Sequence, residues 1–233
     1  MSDYSDVTVI VPTLNEGGNI TKLIGILTKS YPGISVIVSD DGSRDGTVES
    51  VRKIGRKNRR IRLLDRKRER VHGLTASVID AALMAGTDKI VVMDGDLQHP
   101  PEKVKEIARK LDDYNIVVGV RTAVENWGIH RIIISKGMAY LAYGTFVLRG
   151  RPVCNDIMSG FFGINANLFK SIIRKNKDSF VPTGYKVLLD TLRLVGSNVK
   201  VGEVPYSTFR EREYGQSKLR MKHMANALSS TFR

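Results

Sequence analysis

Five short runs of β-branched apolar residues, spaced through the first half of the chain, restrict the fold more than any other feature. They are "VTVIV" (7–11), "SVIVS" (35–39), "IRLL" (61–64), "KIVVMD" (89–94) and "NIVVGV" (115–120). Each has the length and composition of a buried strand. Between them the apolar residues recur at helical spacing. Ile20, Leu23, Ile24 and Leu27 fall at i, i+3, i+4 and i+7, and Val78, Ala81, Ala82 and Ala85 repeat the pattern. Strands separated by helices of this length predict right-handed βαβ units and an α/β fold, with a mostly parallel, Rossmann-like sheet flanked by helices.

The second half is less regular. The pattern predicts a helix over about 132–148, a strand at "GFFGI" (160–164), a helix from Asn167 and another over about 185–195. "NVKVGEVPYSTF" (198–209) reads as a strand, and Pro205 places it at a sheet edge. No repeat or Pro/Gly/Ser linker divides the chain. One domain over 1–233 with a C-terminal elaboration is the expectation.

Charge narrows the partners rather than the fold. The chain has 37 Lys+Arg against 24 Asp+Glu, a formal net charge of +13. Nucleic acid, an anionic membrane and phosphorylated substrates are the candidate partners. The tract "RKNRRIRLLDRKRER" (56–70) holds nine basic residues against Asp65 and Glu69. It reads either as a solvated helix-to-strand connection or as a surface drawn to an anionic bilayer. It contains no aromatic residue, unlike a tract that stacks bases, which argues against nucleic acid. The single cysteine, Cys154, excludes an internal disulfide and fits a reducing setting. No signal peptide is expected at the start, and the apolar window 132–148 carries Lys136 and is too short to span a bilayer.

Polar residues collect where the apolar runs end, which in open parallel sheets is where ligands bind. The first run leads to Asn15 and Glu16, the second to Asp40 and Asp41, the fourth to "DGDLQ" and the fifth to Arg121. Each alone also reads as a turn, and Asp45 before Gly46-Thr47 also reads as a helix cap. In the fourth, an extended chain would point Asp94, Asp96 and Gln98 the same way. Two carboxylates and an amide are hard oxygen donors suited to Mg²⁺ or Mn²⁺. Gly95 would leave room for a ligand near the backbone, and Pro100-Pro101 would start a helix from about Glu102. His99, beside prolines, is read as shaping the loop rather than as a base.

These strand ends resemble the family 2 inverting glycosyltransferases, which have the GT-A fold. "VIVPTLNEGGNI", "VSDDGSRDGT" and "VMDGDLQHPP" look like the family's N-terminal signatures. "ENWGIHRIIISKG", "MSGFFGIN", "TGYKVLLD" and "VPYSTFREREYGQSKL" are similar to later motifs of its dolichyl-phosphate mannose synthases. The resemblance implies a nucleotide-sugar-binding half (1–121), an acceptor-binding half (122–218) and a C-terminal amphipathic helix (219–233). It implies that Pro12, Leu14, Glu16, Ser39 and Asp41 hold the donor nucleoside, and that Asp94, Gly95, Asp96 and Gln98 handle diphosphate and metal. Lys186, Arg212 and Lys218 would close over the donor phosphates. Arg121, Arg131 and Ser135 would meet the acceptor phosphate, so Asp96, Arg121 and Arg131 are the implied catalytic residues. Leu14 replaces a tyrosine common in relatives, Gln216 replaces a glutamate, and the spacing from Pro205 to Ser217 leaves Arg210 and Arg212 interchangeable.

The implied reaction moves mannose from GDP-mannose to a dolichyl or other polyprenyl monophosphate, with Mg²⁺ or Mn²⁺ as cofactor. A phosphate monoester has its second ionisation at about pH 6, so such an acceptor needs cations and no general base. The setting would be the cytoplasmic face of a membrane, with the chain peripheral. The C-terminal stretch 219–232 could dock on the domain, lie on lipid, or lead into a membrane segment, and a membrane-anchoring subunit is a further partner to consider. A UDP-glucose-dependent glucosyltransferase is the nearest alternative. A nucleotidyltransferase would call for a Gly-rich triphosphate loop that "PTLNEGGN" does not provide.

Overall fold

The computed structural model describes residues 3–122, 144–184 and 186–207. Strand β1 (Val7–Thr13) leads to helix α1 (Gly17–Ser30), then β2 (Ser35–Asp40), α2 (Thr47–Lys57) and β3 (Ile61–Asp65). Helix α3 (Leu74–Met84), β4 (Lys89–Val92), a 3-10 turn (Pro101–Lys103), α4 (Val104–Lys110) and β5 (Ile116–Arg121) follow. The second half supplies α5 (144–148), β6 (Phe162–Asn165), α6 (Ala166–Lys175), α7 (Val187–Leu194) and β7 (Val201–Tyr206).

The strands form one sheet in the order β3-β2-β1-β4-β6-β5-β7. All pairings are parallel except those of β6, which runs antiparallel to both β4 and β5. Pro205 lies in β7 at the edge, where its missing N–H costs no ladder bond. Alternate residues of each strand face opposite layers, as the pleat requires. Ile10, Ile37 and Ile90 pack with Val78, Ala81 and Ala82 of α3 and with Phe169 and Leu188. Val9, Val11, Val36, Val38 and Val91 pack on Leu23 and Leu27 of α1, Val51 of α2 and Ile107 of α4. The helix stripes read from the sequence are thus the buried faces.

The chain winds outward from β1 through β2 to β3, then returns to place β4 on the other side of β1. In such sheets a reversal of this kind marks the crevice beyond the carboxyl ends of β1 and β4 where ligands are received. It puts the turn after Thr13 beside the turn after Val92.

Candidate functional site at the β1–β4 switch point

Two turns close the β1–β2 side of the crevice. Asn15, at φ 55°, accepts from Arg44 N through its side chain at 2.9 Å, and its own N–H donates to Ser43 Oγ at 2.7 Å. Glu16 N donates to Thr47 Oγ1 at 3.0 Å and Gly17 N to Asp45 Oδ2 at 2.8 Å. A Cβ on Gly17 would come 2.6 Å from Asp45 O, so only glycine lets the turns approach this closely. Asp45 also accepts from Thr47 N and Oγ1. Partial burial works against its charge, but those hydrogen bonds hold its carboxyl below the usual range. Asp45 therefore ties the first residue of α2 to the β1 turn.

The adjacent aspartates at and just past the end of β2 differ in kind. Asp40 is fully buried and accepts from Thr13 Oγ1, Gly42 N, Ser43 N and Ser43 Oγ, which makes it a frame for the turn. Asp41 reaches the rim. Its Oδ1 accepts from Arg66 Nη1 at 2.5 Å and lies 2.9 Å from His72 Nδ1, and its Oδ2 accepts from Gly73 N at 2.7 Å. Arg66, 2% exposed, also donates to Asp80, Ser77 Oγ and Val71 O. This corrects the reading of 56–70 as one solvated basic surface: Arg66 faces inward because four acceptors surround it. Pro12 and Ser39 are partners in the β1–β2 register. Ser39 is wholly buried, so its side chain is withdrawn from the rim, whereas Leu14 is 39% exposed at the mouth.

At the end of β4 the chain turns instead of staying extended. Leu97 takes φ 63° with its side chain buried, and Gln98 N donates to Asp96 Oδ1 at 3.1 Å. Asp94, Asp96 and Gln98 therefore sit on a turn and do not follow strand alternation. The Asp94 side chain is 38% exposed and Asp96 is buried. Gly95 does not open space for a ligand either. A Cβ there would lie 3.3 Å from Thr13 Cγ2 and at van der Waals contact with Val11 Cγ1 and Glu16 Cγ, so the position faces the packed end of β1. The predicted helix after Pro101 is present, beginning as a 3-10 turn.

His99 supports this turn from below. Its Nδ1 accepts from Asp94 N at 3.0 Å, and its ring stacks on Phe161 with centroids 5.2 Å apart. Burial pushes its pKa down to about 4, with the Asp96 charge only partly opposing, so it is neutral near pH 7. The loop-shaping role expected for it agrees with this geometry. Gly160, from "MSGFFGIN", sits against the same turn, where a Cβ would lie 3.5 Å from Asp94 Oδ2.

Arg121, at the end of β5, is held as a fork by Asp156: Nε to Oδ2 at 2.8 Å and Nη2 to Oδ1 at 3.1 Å. Burial opposes its charge, but Asp156 and the nearby charge of Asp94 raise its pKa further. Lys186, just before α7, is 6% exposed. Burial brings its pKa down to about 8, with Asp190 one turn on opposing the shift. Sequence reading missed Arg66, His72 and Asp156. Residue type alone gave no signal for them, since Asp156 meets Arg121 across a separation of 35 residues. Arg131, Ser135, Arg210, Arg212 and Lys218 lie outside the described residues.

Residues 8–175 match the family model described as Glycosyl transferase family 2. The chain belongs to that family. The glycosyl transferase family 2 chain is 33% identical over 234 residues to a dolichol-phosphate mannosyltransferase of Pyrococcus furiosus, covering 97% of this chain and 63% of that protein. It is 34% identical to a dolichol-phosphate mannosyltransferase of Mycosarcoma maydis, covering 96% of this chain and 76% of that one. It thus spans less than two thirds of the length of the Pyrococcus relative. Among solved structures it is similar to glucosyl-3-phosphoglycerate synthase from Mycobacterium tuberculosis in complex with Mn²⁺, UDP-glucose and phosphoglyceric acid. The TM-score is 0.69 at 19% identity, covering 97% of this chain and 78% of that one. The GT-A architecture expected from the strand ends is the one observed.

Proposed function

We propose that this family 2 glycosyltransferase transfers mannose from GDP-mannose to a dolichyl or other polyprenyl monophosphate, with inversion, while lying on the cytoplasmic face of a membrane. The observation that carries this reading is the likeness to proteins named dolichol-phosphate mannosyltransferase, which runs through 97% of the chain.

In this reading Asp41, Glu16, Pro12 and Leu14 receive the nucleoside at the β1–β2 side of the crevice. Asp94, Asp96 and Gln98 would hold Mg²⁺ or Mn²⁺. The donor set fits such an ion. Among the described residues no group of three or more His, Cys, Asp or Glu forms a complete cage. One or two carboxylates completed by substrate phosphates is how Mg²⁺ is usually held. When bound, the ion supplies Lewis-acid stabilisation of charge on a departing diphosphate.

The remaining work falls to the chain's own side chains. Lys186, with Arg212 and Lys218, would close over the donor phosphates and stabilise the same developing charge. Arg121, Arg131 and Ser135 would fix the acceptor phosphate in line with the anomeric carbon, and attack from that side inverts it. Asp156 takes the Nε–Nη2 edge of Arg121 and so fixes the plane of the guanidinium, whose Nη1 edge would be the one to meet the phosphate. His99 is not asked to remove a proton, since the acceptor is already anionic.

Calorimetric titration with GDP-mannose and with UDP-glucose, each with Mg²⁺, tests the donor. GDP-mannose is expected to bind at least ~30-fold more tightly, about 2 kcal/mol. Preference for UDP-glucose would replace the reading with the glucosyl one.

A further inference from the structure

The start of α3 touches both ends of the donor site, and its own hydrogen bonding shows how. A helix leaves its first N–H groups unsatisfied, and this one has no side-chain cap at Gly73. The N–H groups find partners elsewhere. Gly73 N donates to Asp41 Oδ2 at 2.7 Å. Thr75 N donates to Gly184 O at 3.0 Å, Ala76 N to Pro182 O at 3.1 Å, and Thr75 Oγ1 to Gly184 O at 2.9 Å. The helix start is thus capped on one side by the carboxylate assigned to the nucleoside. On the other it is capped by the backbone of 182–184, two residues before Lys186 in the sequence.

Gly73 is the pivot between the two. Its φ is 144°, a conformation that side chains rarely adopt, and a Cβ there would lie 2.6 Å from Pro182 O and 2.7 Å from Thr183 Cα. Arg66 locks the assembly from below by bonding Asp41, together with Ser77 and Asp80 of α3. A displacement of 182–184 therefore cannot leave the helix start, and hence Asp41, unaffected.

We propose that Gly73 and Thr75 are positioning residues for donor binding: through the start of α3 they fix the segment carrying Lys186 relative to Asp41, so that nucleoside and diphosphate contacts form as one unit. This rests on the donor reading above and adds that the two contacts are energetically coupled.

The test is a double-mutant cycle read by calorimetric affinity for GDP with Mg²⁺ and by the KM for GDP-mannose. Lys186→Met in the wild-type background is expected to weaken GDP at least tenfold. In a Gly73→Ala background the same change is expected to cost less than threefold, because Lys186 is already misplaced. Gly73→Ala itself is expected to raise KM with little change in kcat. Thr75→Val, which keeps the N–H bond and loses the hydroxyl bond to Gly184, gives a milder second background and should show partial loss of coupling. If Gly73→Ala does not fold, the Thr75→Val cycle decides. Losses that multiply independently, in variants with the wild-type melting profile, overturn the coupling and leave the donor assignment standing. A wild-type chain that binds no GDP overturns both.

Discussion

The Arg66 guanidinium donates to Asp41 Oδ1 at 2.5 Å from a side chain that is 2% exposed. Removing one partner of a buried pair leaves an uncompensated charge, a loss of about 3–5 kcal/mol. Arg66→Met is expected to fall towards the lower end, because Asp80 can turn to water from a side chain that is 42% exposed. Urea unfolding measures it. A loss under ~1 kcal/mol would show that the network contributes little to stability.

The rest of the basic tract is a separate matter. Lys67, Arg68 and Arg70 are exposed, as a membrane-facing surface requires. Replacing all three with glutamine should weaken binding to anionic vesicles by roughly 1 kcal/mol per charge and flatten its salt dependence. Rates with a detergent-solubilised acceptor should stay within twofold. A large loss in detergent would place these residues in the chemistry instead.

Lys186 sets a pH limit. Its lowered pKa of about 8 means that it is charged below that pH and neutral above it. If Lys186 grips the donor phosphates as proposed, that cation is present below pH 8 and lost as pH rises through it. The kcat/KM for donor, which reports the free enzyme, should fall above about pH 8. Lys186→Arg should move that fall to higher pH, since arginine keeps its charge. A kcat/KM that stays level to about pH 9.5 in the wild type would remove Lys186 from the donor site.

Asp96, buried in the turn beyond β4, is proposed to hold the cation. Asp96→Asn should cost at least ~100-fold in turnover, the scale of losing a main electrostatic group. A chelator should abolish activity and Mg²⁺ or Mn²⁺ should restore it. A variant within threefold of wild type would exclude the assignment.

The alternation of apolar runs and helical stripes was enough to read the N-terminal architecture, because burial on both sheet faces leaves a direct mark on residue type. The direction of β6 left no such mark. "GFFGI" would read the same in either direction. That Asp94, Asp96 and Gln98 lie together just past β4 was legible, but the turn that carries them was not. Leu97 at φ 63° departs from what its residue type favours, so an extended chain was the natural expectation. Arg66 looked like its basic neighbours, since nothing local distinguishes a buried arginine whose acceptors come from the turn after β2, the loop before α3 and α3 itself. Lys186 could be picked out only through family resemblance, because its burial is a product of tertiary packing.

The most direct test of the account is transfer of radiolabelled sugar to a short polyprenyl phosphate in detergent with Mg²⁺, supplied in parallel with GDP-mannose and UDP-glucose. The account predicts label in the organic phase from GDP-mannose alone, dependent on the acceptor's phosphate, as an acid-labile β-mannosyl phospholipid. Label from UDP-glucose alone, or equal transfer to a polyprenol lacking the phosphate, would contradict it.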